Sequence, residues 1–350
     1  MRGALASRLA VAGVLFAGAL AARANAQTLE ATFDPADPAA AQLFGQSVAL
    51  DGDVAVVGAA GAASNAGAAY VFRRTLSVWA QELKLQPGDL ASSDLFGAST
   101  ALDGDLLAVG APNALDGFGG SPRGPGAVYV FRDTAGTWPQ QDKLLAADAS
   151  NFDQLGASVA AQGSVIVAGA PGDQPTGDGA PNGGAGAAYV FRFDGVSWAQ
   201  EAKLVSAPGA NGDRLGQSVA LDGTVIAVGE PGYDNVSTDR GAVLVFRYTA
   251  GVWNFETRLT ATDPANGDNF GAPVAVEGNV IAVGAPKDNQ GFSDTGAVYV
   301  FRFNGSSWVQ EAKKVASDAA AQGQLGASVS LQGSMLLAGA PGALSGAGQG

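Results

Sequence analysis

The 350-residue chain contains no histidine and no cysteine. Without histidine, Ser-His-Asp and Cys-His catalysis are excluded, together with the commonest metal ligand. Without cysteine there are no disulfides, no thiolate metal sites and no lipid-modified N-terminal cysteine. Stability must therefore come from a packed core, which a chain of this length can build. Basic residues are scarce, with 19 Lys and Arg against 32 Asp and Glu and a formal net charge of −13. Nucleic acid and anionic membranes are bound by clustered Lys and Arg, so both are excluded as partners. Long apolar runs are missing too. The longest, Leu9 to Leu20, follows Arg2 and Arg8 and precedes a small-x-small site at Ala24-Asn25-Ala26. It is too short to span a bilayer and reads as a signal peptide over residues 1–26. The mature protein is expected to start at Gln27, to be secreted or displayed at the cell surface, and to have no membrane span. Loss of Arg2, Arg8 and Arg23 takes the formal charge to −16.

What the chain has in abundance is repetition. GAVYVFR stands at residues 126–132 and again at 296–302, with near copies at 67, 186 and 241. Repeats start near 44, 96, 155, 215, 270 and 325, each at a Phe-Gly or Leu-Gly pair, with spacings of 52, 59, 60, 55 and 55. From each start to the Gly of the following V-G-A-P-like motif (Gly58, Gly110, Gly169, Gly229, Gly284, Gly339) is always 14 residues. The five tryptophans, Trp79, Trp138, Trp198, Trp253 and Trp308, each fall nine places after the Tyr or Leu at the heptad's centre. All variation in length therefore lies between the second motif and the heptad. A fixed period of this size marks a repeat architecture.

Each repeat reads as four short strands. The first two are joined by an x-Gly pair such as Asp51-Gly52 or Asp222-Gly223, where glycine supplies the positive φ of a tight hairpin. The heptad forms a third strand without alternation, hence covered on both faces, and the fourth runs through Trp and a Q-E-A-K-L-like segment. The expected fold is all-β: a β-propeller of four-stranded antiparallel blades, occupying residues 27–350 as one domain. Residues 27–43, with Glu30 in the register of the later fourth strands, are expected to supply the closing strand of the last blade. The sequence stops where a third strand would be due, which implies six blades with the last incomplete, or a truncated seven-bladed ring.

These motifs carry a resemblance. The Phe-Gly or Leu-Gly start followed by Gly110-Ala111-Pro112, Gly169-Ala170-Pro171, Gly284-Ala285-Pro286 and Gly339-Ala340-Pro341 resembles the FG-GAP repeat family, whose best-known members form the propeller of integrin alpha chains. The resemblance implies adhesion or ligand binding. It also implies calcium held in a D-x-D-x-D-G-x-x-D hairpin between FG and GAP, but here that interval carries only turns such as LDGD or AQGS, too few ligands for a cation that takes six to eight oxygens. A composition heavy in alanine and glycine with no cysteine points to a bacterial, secreted member.

Among chemical candidates, the G-x-S serines Ser47, Ser99, Ser158, Ser218 and Ser328 recur around the ring, whereas an active site is built once, and none has the glycine of a nucleophile elbow. The heptad arginines Arg73, Arg132, Arg192, Arg247 and Arg302 are expected to pair with fourth-strand acids such as Glu201 and Glu311. The tryptophans fit wedges between blades. No catalytic residue emerges, and the chain is read as not an enzyme. By strand parity, the variable loops share one face of the ring with the inter-blade linkers, and that face is acidic. The aspartate pairs Asp89/Asp94, Asp148/Asp153 and Asp263/Asp268 are expected to bond their own turns. Metal-site candidates on this face are Asp173, Asp178, Asp234, Asp239, Asp288 and Asp294, with calcium as the one cofactor to test. The function expected is an exported, monomeric binding or adhesion propeller for an extracellular protein or glycan that is cationic or cation-bridged. The alternatives are a secreted, carboxylate-based glycan-active enzyme and a structural component of the cell envelope.

Overall fold

The computed structural model describes residues 31–343 apart from 40, 116–122, 175–183, 235–238 and 320. Blade one contains β1 (Phe44–Asp51), β2 (Val54–Ala59), β3 (Ala68–Thr75) and β4 (Val78–Leu85). Blade two contains β5 (Ser99–Asp103), β6 (Leu106–Ala111), β7 (Ala127–Arg132) and β8 (Gln140–Leu144). Blade three is β9 (Ser158–Gln162), β10 (Val165–Ala170), β11 (Ala187–Phe193) and β12 (Trp198–Val205); blade four is β13 (Ser218–Asp222), β14 (Val225–Glu230), β15 (Ala242–Thr249) and β16 (Val252–Leu259). Blade five is β17 (Val274–Glu277), β18 (Val280–Ala285), β19 (Ala297–Phe303) and β20 (Trp308–Lys314), and blade six is β21 (Ser328–Gln332) with β22 (Met335–Gly339). Within each sheet the strands follow chain order and every pairing is antiparallel. The first strands of successive blades lie side by side, from β1 through β5, β9, β13 and β17 to β21. The result is the expected all-β propeller arrangement; among the described residues the one helical segment is a four-residue turn, Ala62–Asn65, whose Ala63 and Ser64 have positive φ.

The core lies in the middle strands. β2, β6, β10 and β14 are buried along their whole length, and the first five residues of β3, β7, β11 and β15 are buried too, which is why these segments show no alternation. Heptad tyrosines Tyr70, Tyr129, Tyr189 and Tyr299 are fully buried. Phe96 and Phe270 each pack edge-on to the tyrosine of the blade that they open.

Blade-to-blade bonding follows the sequence period. Ser47, Ser99, Ser158 and Ser218 each donate Oγ–H to the carbonyl of the start-motif glycine in the next blade, Gly97, Gly156, Gly216 and Gly271, at 2.8 to 2.9 Å. The recurring serine is thus a structural strut. Ser218→Ala should cost about 1 kcal/mol, the net worth of one such bond, in urea unfolding. Blade five already manages with Pro273 at the same place. A second ladder joins the first hairpins: the side chains of Asp51, Asp103, Gln162, Asp222 and Glu277 accept from the N–H of the turn glycine one blade on, Gly104, Gly163, Gly223, Gly278 and Gly333.

The third junction depends on a β-bulge. Every complete blade has a register shift at the same point of its last strand pair, leaving Glu82, Gln141, Glu201, Glu256 or Glu311 as the extra residue. A bulge re-aims side chains. Glu201 is thereby able to accept both Arg192 of its own blade (2.9 Å) and the Trp253 indole N–H of the next (3.1 Å). Arg73–Glu82, Arg247–Glu256 and Arg302–Glu311 repeat the ion pair, as the sequence leads one to expect. Blade two differs because its bulge residue is Gln141, so Arg132 pairs with Asp105 instead. Trp138, Trp198 and Trp308 are buried wedges, while Trp79 and Trp253 are half-buried.

At the N-terminal end, residues 31–39 form no strand, and residues 27–30 of the expected closing strand lie outside the described residues. Phe33 packs on Phe72 and Trp79 of blade one, with ring centroids 4.7 and 5.3 Å apart. Among the described residues the last sheet is the β21–β22 pair.

Candidate functional site

The loop face is built on a recurrent cluster that sequence reading missed. The first aspartate of each inter-blade pair does more than bond its own backbone. It reaches into the following blade, where the buried heptad tyrosine and the lysine of the fourth strand meet it: Asp89 with Tyr129 and Lys143, Asp148 with Tyr189 and Lys203, Asp263 with Tyr299 and Lys313. Asp37 does the same with Tyr70 and Lys84, so the N-terminal segment keeps the register of an inter-blade linker. The second aspartate behaves as expected. Asp94, Asp153, Asp213 and Asp268 each accept the N–H three residues earlier in their own turn.

In blades three and five a further carboxylate joins. Lys203 Nζ lies 2.7 Å from Asp148 and 2.9 Å from buried Asp173, with the Tyr189 hydroxyl donating to Asp173. Lys313 Nζ stands in the same relation to Asp263 and Asp288, at 2.7 and 2.9 Å. Burial alone would raise the carboxyl pKa of Asp148 and Asp263. The lysine and tyrosine bonds outweigh it and hold both below the ordinary range. Burial, then the neighbouring carboxylates, push the Tyr189 and Tyr299 hydroxyls up, so both remain protonated donors. Asp153 accepts the Ser150 N–H but has no bond to Lys203, and burial, helped by the neighbouring Asp173 and Asp148, pushes its carboxyl to about 7.

The metal-site candidates separate accordingly. Asp173 and Asp288 are committed to a lysine ammonium and a tyrosine. Asp178 lies outside the described residues. Asp234 is exposed and accepts the Asp239 N–H, and Asp294 is half-buried and lines a surface depression shared with Gln322, Gln324 and Pro341. Among the described residues no three acidic side chains come together in a way that would hold a metal ion. Lys84, Lys143, Lys203 and Lys313 also belong to this face, so it is far less acidic than its loops alone suggest. These lysines lie on fourth strands, which is why counting charges loop by loop overlooks them.

Blade four departs from the cluster at every position. Leu244 replaces the tyrosine, Arg258 the lysine, and Pro208 the linker aspartate, while Glu230 stands where the other blades have the alanine of Gly-Ala-Pro. Arg258 Nη2 donates to Ser206 Oγ and lies 3.5 Å from Glu230, and its guanidinium stacks on Tyr233 at 4.1 Å. Glu230 is fully buried, neither of its oxygens has a hydrogen-bond donor, and burial pushes its carboxyl up to about 7.

Comparison with known families matches this chain to the FG-GAP repeat at residues 28–72, 79–131, 138–191, 198–246, 253–301 and 308–350. The chain belongs to the FG-GAP repeat family. No curated protein matches its sequence. Five of the six FG-GAP matches begin on a tryptophan, so each sequence unit takes the last strand of one blade and the first three of the next. That phase has a physical reason: the tryptophan, bulge acid, start-motif glycine and serine that recur most faithfully all sit where two blades meet. No described helix is long and apolar enough to cross a membrane.

Proposed function

We propose that this FG-GAP protein is an exported, non-enzymatic binding propeller that engages an extracellular protein or glycan through the loops between second and third strands and the linkers beside them. One observation carries the reading: the polar residues that recur from blade to blade are committed to blade junctions, to ion pairs within a blade or to their own turns, while differences in length are confined to one class of loop on one face. A rigid scaffold with variable loops is the usual arrangement for recognition. The serines of the first four blades, the arginine–glutamate pairs and the indoles of Trp138, Trp198 and Trp253 have partners inside the fold, and the Trp308 indole is buried, which leaves no repeated group poised for chemistry.

Cation assistance, if used, runs through exposed Asp234 and Asp239 and half-buried Asp294, because lysine ammonium groups already fill the space between the carboxylates of blades three and five. Calorimetry with calcium on the protein and on its Asp234→Asn, Asp239→Asn, Asp294→Asn variant checks this. Heat lost in the variant places the cation on those loops, and no heat from either protein removes calcium from the proposal. The function itself is tested by a paired screen on the purified protein, with immobilised glycans and extracellular proteins in one arm and cleavage of the same glycans in the other. Binding without turnover is expected. Turnover of any glycan would replace this reading with an enzymatic one.

A further inference from the structure

The repeats serve as controls for one another, and by that comparison one corner of the molecule stands apart. Wherever a blade needs its loop-side corner only for stability, it uses the aspartate–tyrosine–lysine cluster, and blades one, two, three and five all do so. Three of them add a glutamine, Gln81, Gln200 or Gln310, whose side-chain oxygen accepts a linker N–H, at Ala36, Ala147 or Thr262. Blade four has Phe255 at that position, which cannot accept this bond. Five positions scattered over some fifty residues of sequence have thus changed together, and they converge on one corner.

The replacement does not restore what it removes. Glu230 Oε1 and Oε2 and Arg258 Nε are buried without hydrogen-bond partners, although the two side chains lie 3.5 Å apart. Phe255 packs edge-on against Phe246 at 5.9 Å yet remains 57 % exposed. The linker beside it reads Val205-Ser206-Ala207-Pro208-Gly209 and carries no charge. Natural chains break their own local rules where function requires it, and unpaired buried polar groups call for such an explanation.

We propose that the loop-side corner of blade four, with Phe255 as platform and Arg258, Tyr233 and Ser206 beside it, is a binding site for one ring of a neutral saccharide. Size decides against a globular partner: one exposed aromatic ring, on the strand face it shares with Arg258, falls far short of the roughly 800 Å² per side that a stable protein interface buries. It suits a pyranose ring, whose apolar face stacks on an aromatic while its hydroxyls take the few placed polar groups. Charge selects a neutral ligand. Arg258 is offset by Asp213 and Asp234 nearby, which together with Asp239 disfavour an anion. Glu230, being fully buried, is a positioning residue that holds the guanidinium against Tyr233.

This inference rests on the binding-propeller reading and deepens it. The test restores the repeat pattern in the full chain with Phe255→Gln, Arg258→Lys, Leu244→Tyr, Pro208→Asp and Glu230→Ala, alongside Phe255→Gln alone. The probes are cello-, malto- and xylo-oligosaccharides in titration calorimetry, with melting temperature measured in parallel. The parent is expected to bind at least one of these, Phe255→Gln to weaken it tenfold or more, and the five-fold variant to lose binding while melting at a higher temperature. A five-fold variant that melts lower than the parent would show the corner to be a structural substitute and overturn the proposal. Unchanged binding by Phe255→Gln would overturn it as well. Should the parent bind other ligands through its loops but none of these oligosaccharides, this inference fails while the binding-propeller reading stands; binding to nothing on any array fails both.

Discussion

Gly169→Ala is expected to lower stability by about 3 kcal/mol or more, whereas Gly163→Ala, six residues earlier, should cost only about 1 kcal/mol. The two glycines are required for different reasons. Gly163 has φ +59 in the β9–β10 turn and open space around it, so an added Cβ meets only the backbone preference of an L-residue. Gly169 has no unusual φ. Its added Cβ would lie 1.9 Å from the Gly216 carbonyl of the next blade and 2.4 Å from Ser158 Oγ. Neither atom can retreat easily: the carbonyl belongs to the start motif of blade four, and the serine is the strut that bonds it. The same collision recurs at Gly58, Gly110 and Gly229, each about 2 Å from a glycine carbonyl one blade on. The second glycine of the repeat is thus conserved within this chain by contact between backbones, with blades touching where no side chain fits. Urea unfolding of both variants is the measurement. Equal losses would mean that neighbouring blades can move apart at little cost.

This distinction shows where the sequence was readable and where it was not. Strands and turns follow from local pattern: x-Gly pairs fix hairpins, and an unalternating apolar heptad marks a strand buried on both sides. The Arg192–Glu201 pairing was legible because both residues recur in fixed phase on adjacent strands. The aspartate–tyrosine–lysine cluster was not, since Asp148, Tyr189 and Lys203 lie on three separate elements and meet only through the stacking of one blade on the next. A buried tyrosine in an apolar heptad also reads as plain core, and nothing local reveals that its hydroxyl reaches a carboxylate. The corner of blade four had a signal of its own. Glu230 interrupts a Gly-Ala-Pro motif and Leu244 interrupts a row of tyrosines, and aligning the repeats against each other exposes both before any coordinates are known.

Stability is expected to peak in mildly acidic solution and to fall between about pH 4 and pH 7, unusual behaviour for a protein this rich in carboxylates. Two opposing sets of acids produce it. Asp37, Asp89, Asp148 and Asp263 have folded pKa values held below the ordinary range, by the Lys84 bond in Asp37 and, in the other three, by lysine and tyrosine bonds that overcome burial. Their contribution is present above the unfolded pKa and is lost as pH falls through the folded one, which gives the acid limb. Asp153 and Glu230 are displaced the other way, both to about 7, because burial penalises the charged form and no close cation fully compensates. For these two the folded state binds more protons than the unfolded state between about pH 4 and pH 7, so stability decreases with rising pH across that window. At 1.36 kcal/mol per pH unit, the ceiling is roughly 3 to 4 kcal/mol for each residue. Asp94, Asp213 and Asp268 are raised by burial too and add to the same limb. Asp153→Asn keeps an oxygen for the Ser150 N–H and removes the titration, and Glu230→Gln does likewise beside Arg258. The double variant should therefore melt higher than the parent at pH 8 and show little change between pH 5 and pH 8. Melting curves at constant ionic strength across pH 3 to 9 measure both limbs. A parent that gains stability from pH 5 to pH 8, or a double variant whose neutral limb still slopes like the parent's, would show that these two carboxyls are ionised in the folded protein and paired more closely than the 3.5 Å approach of Arg258 to Glu230 implies.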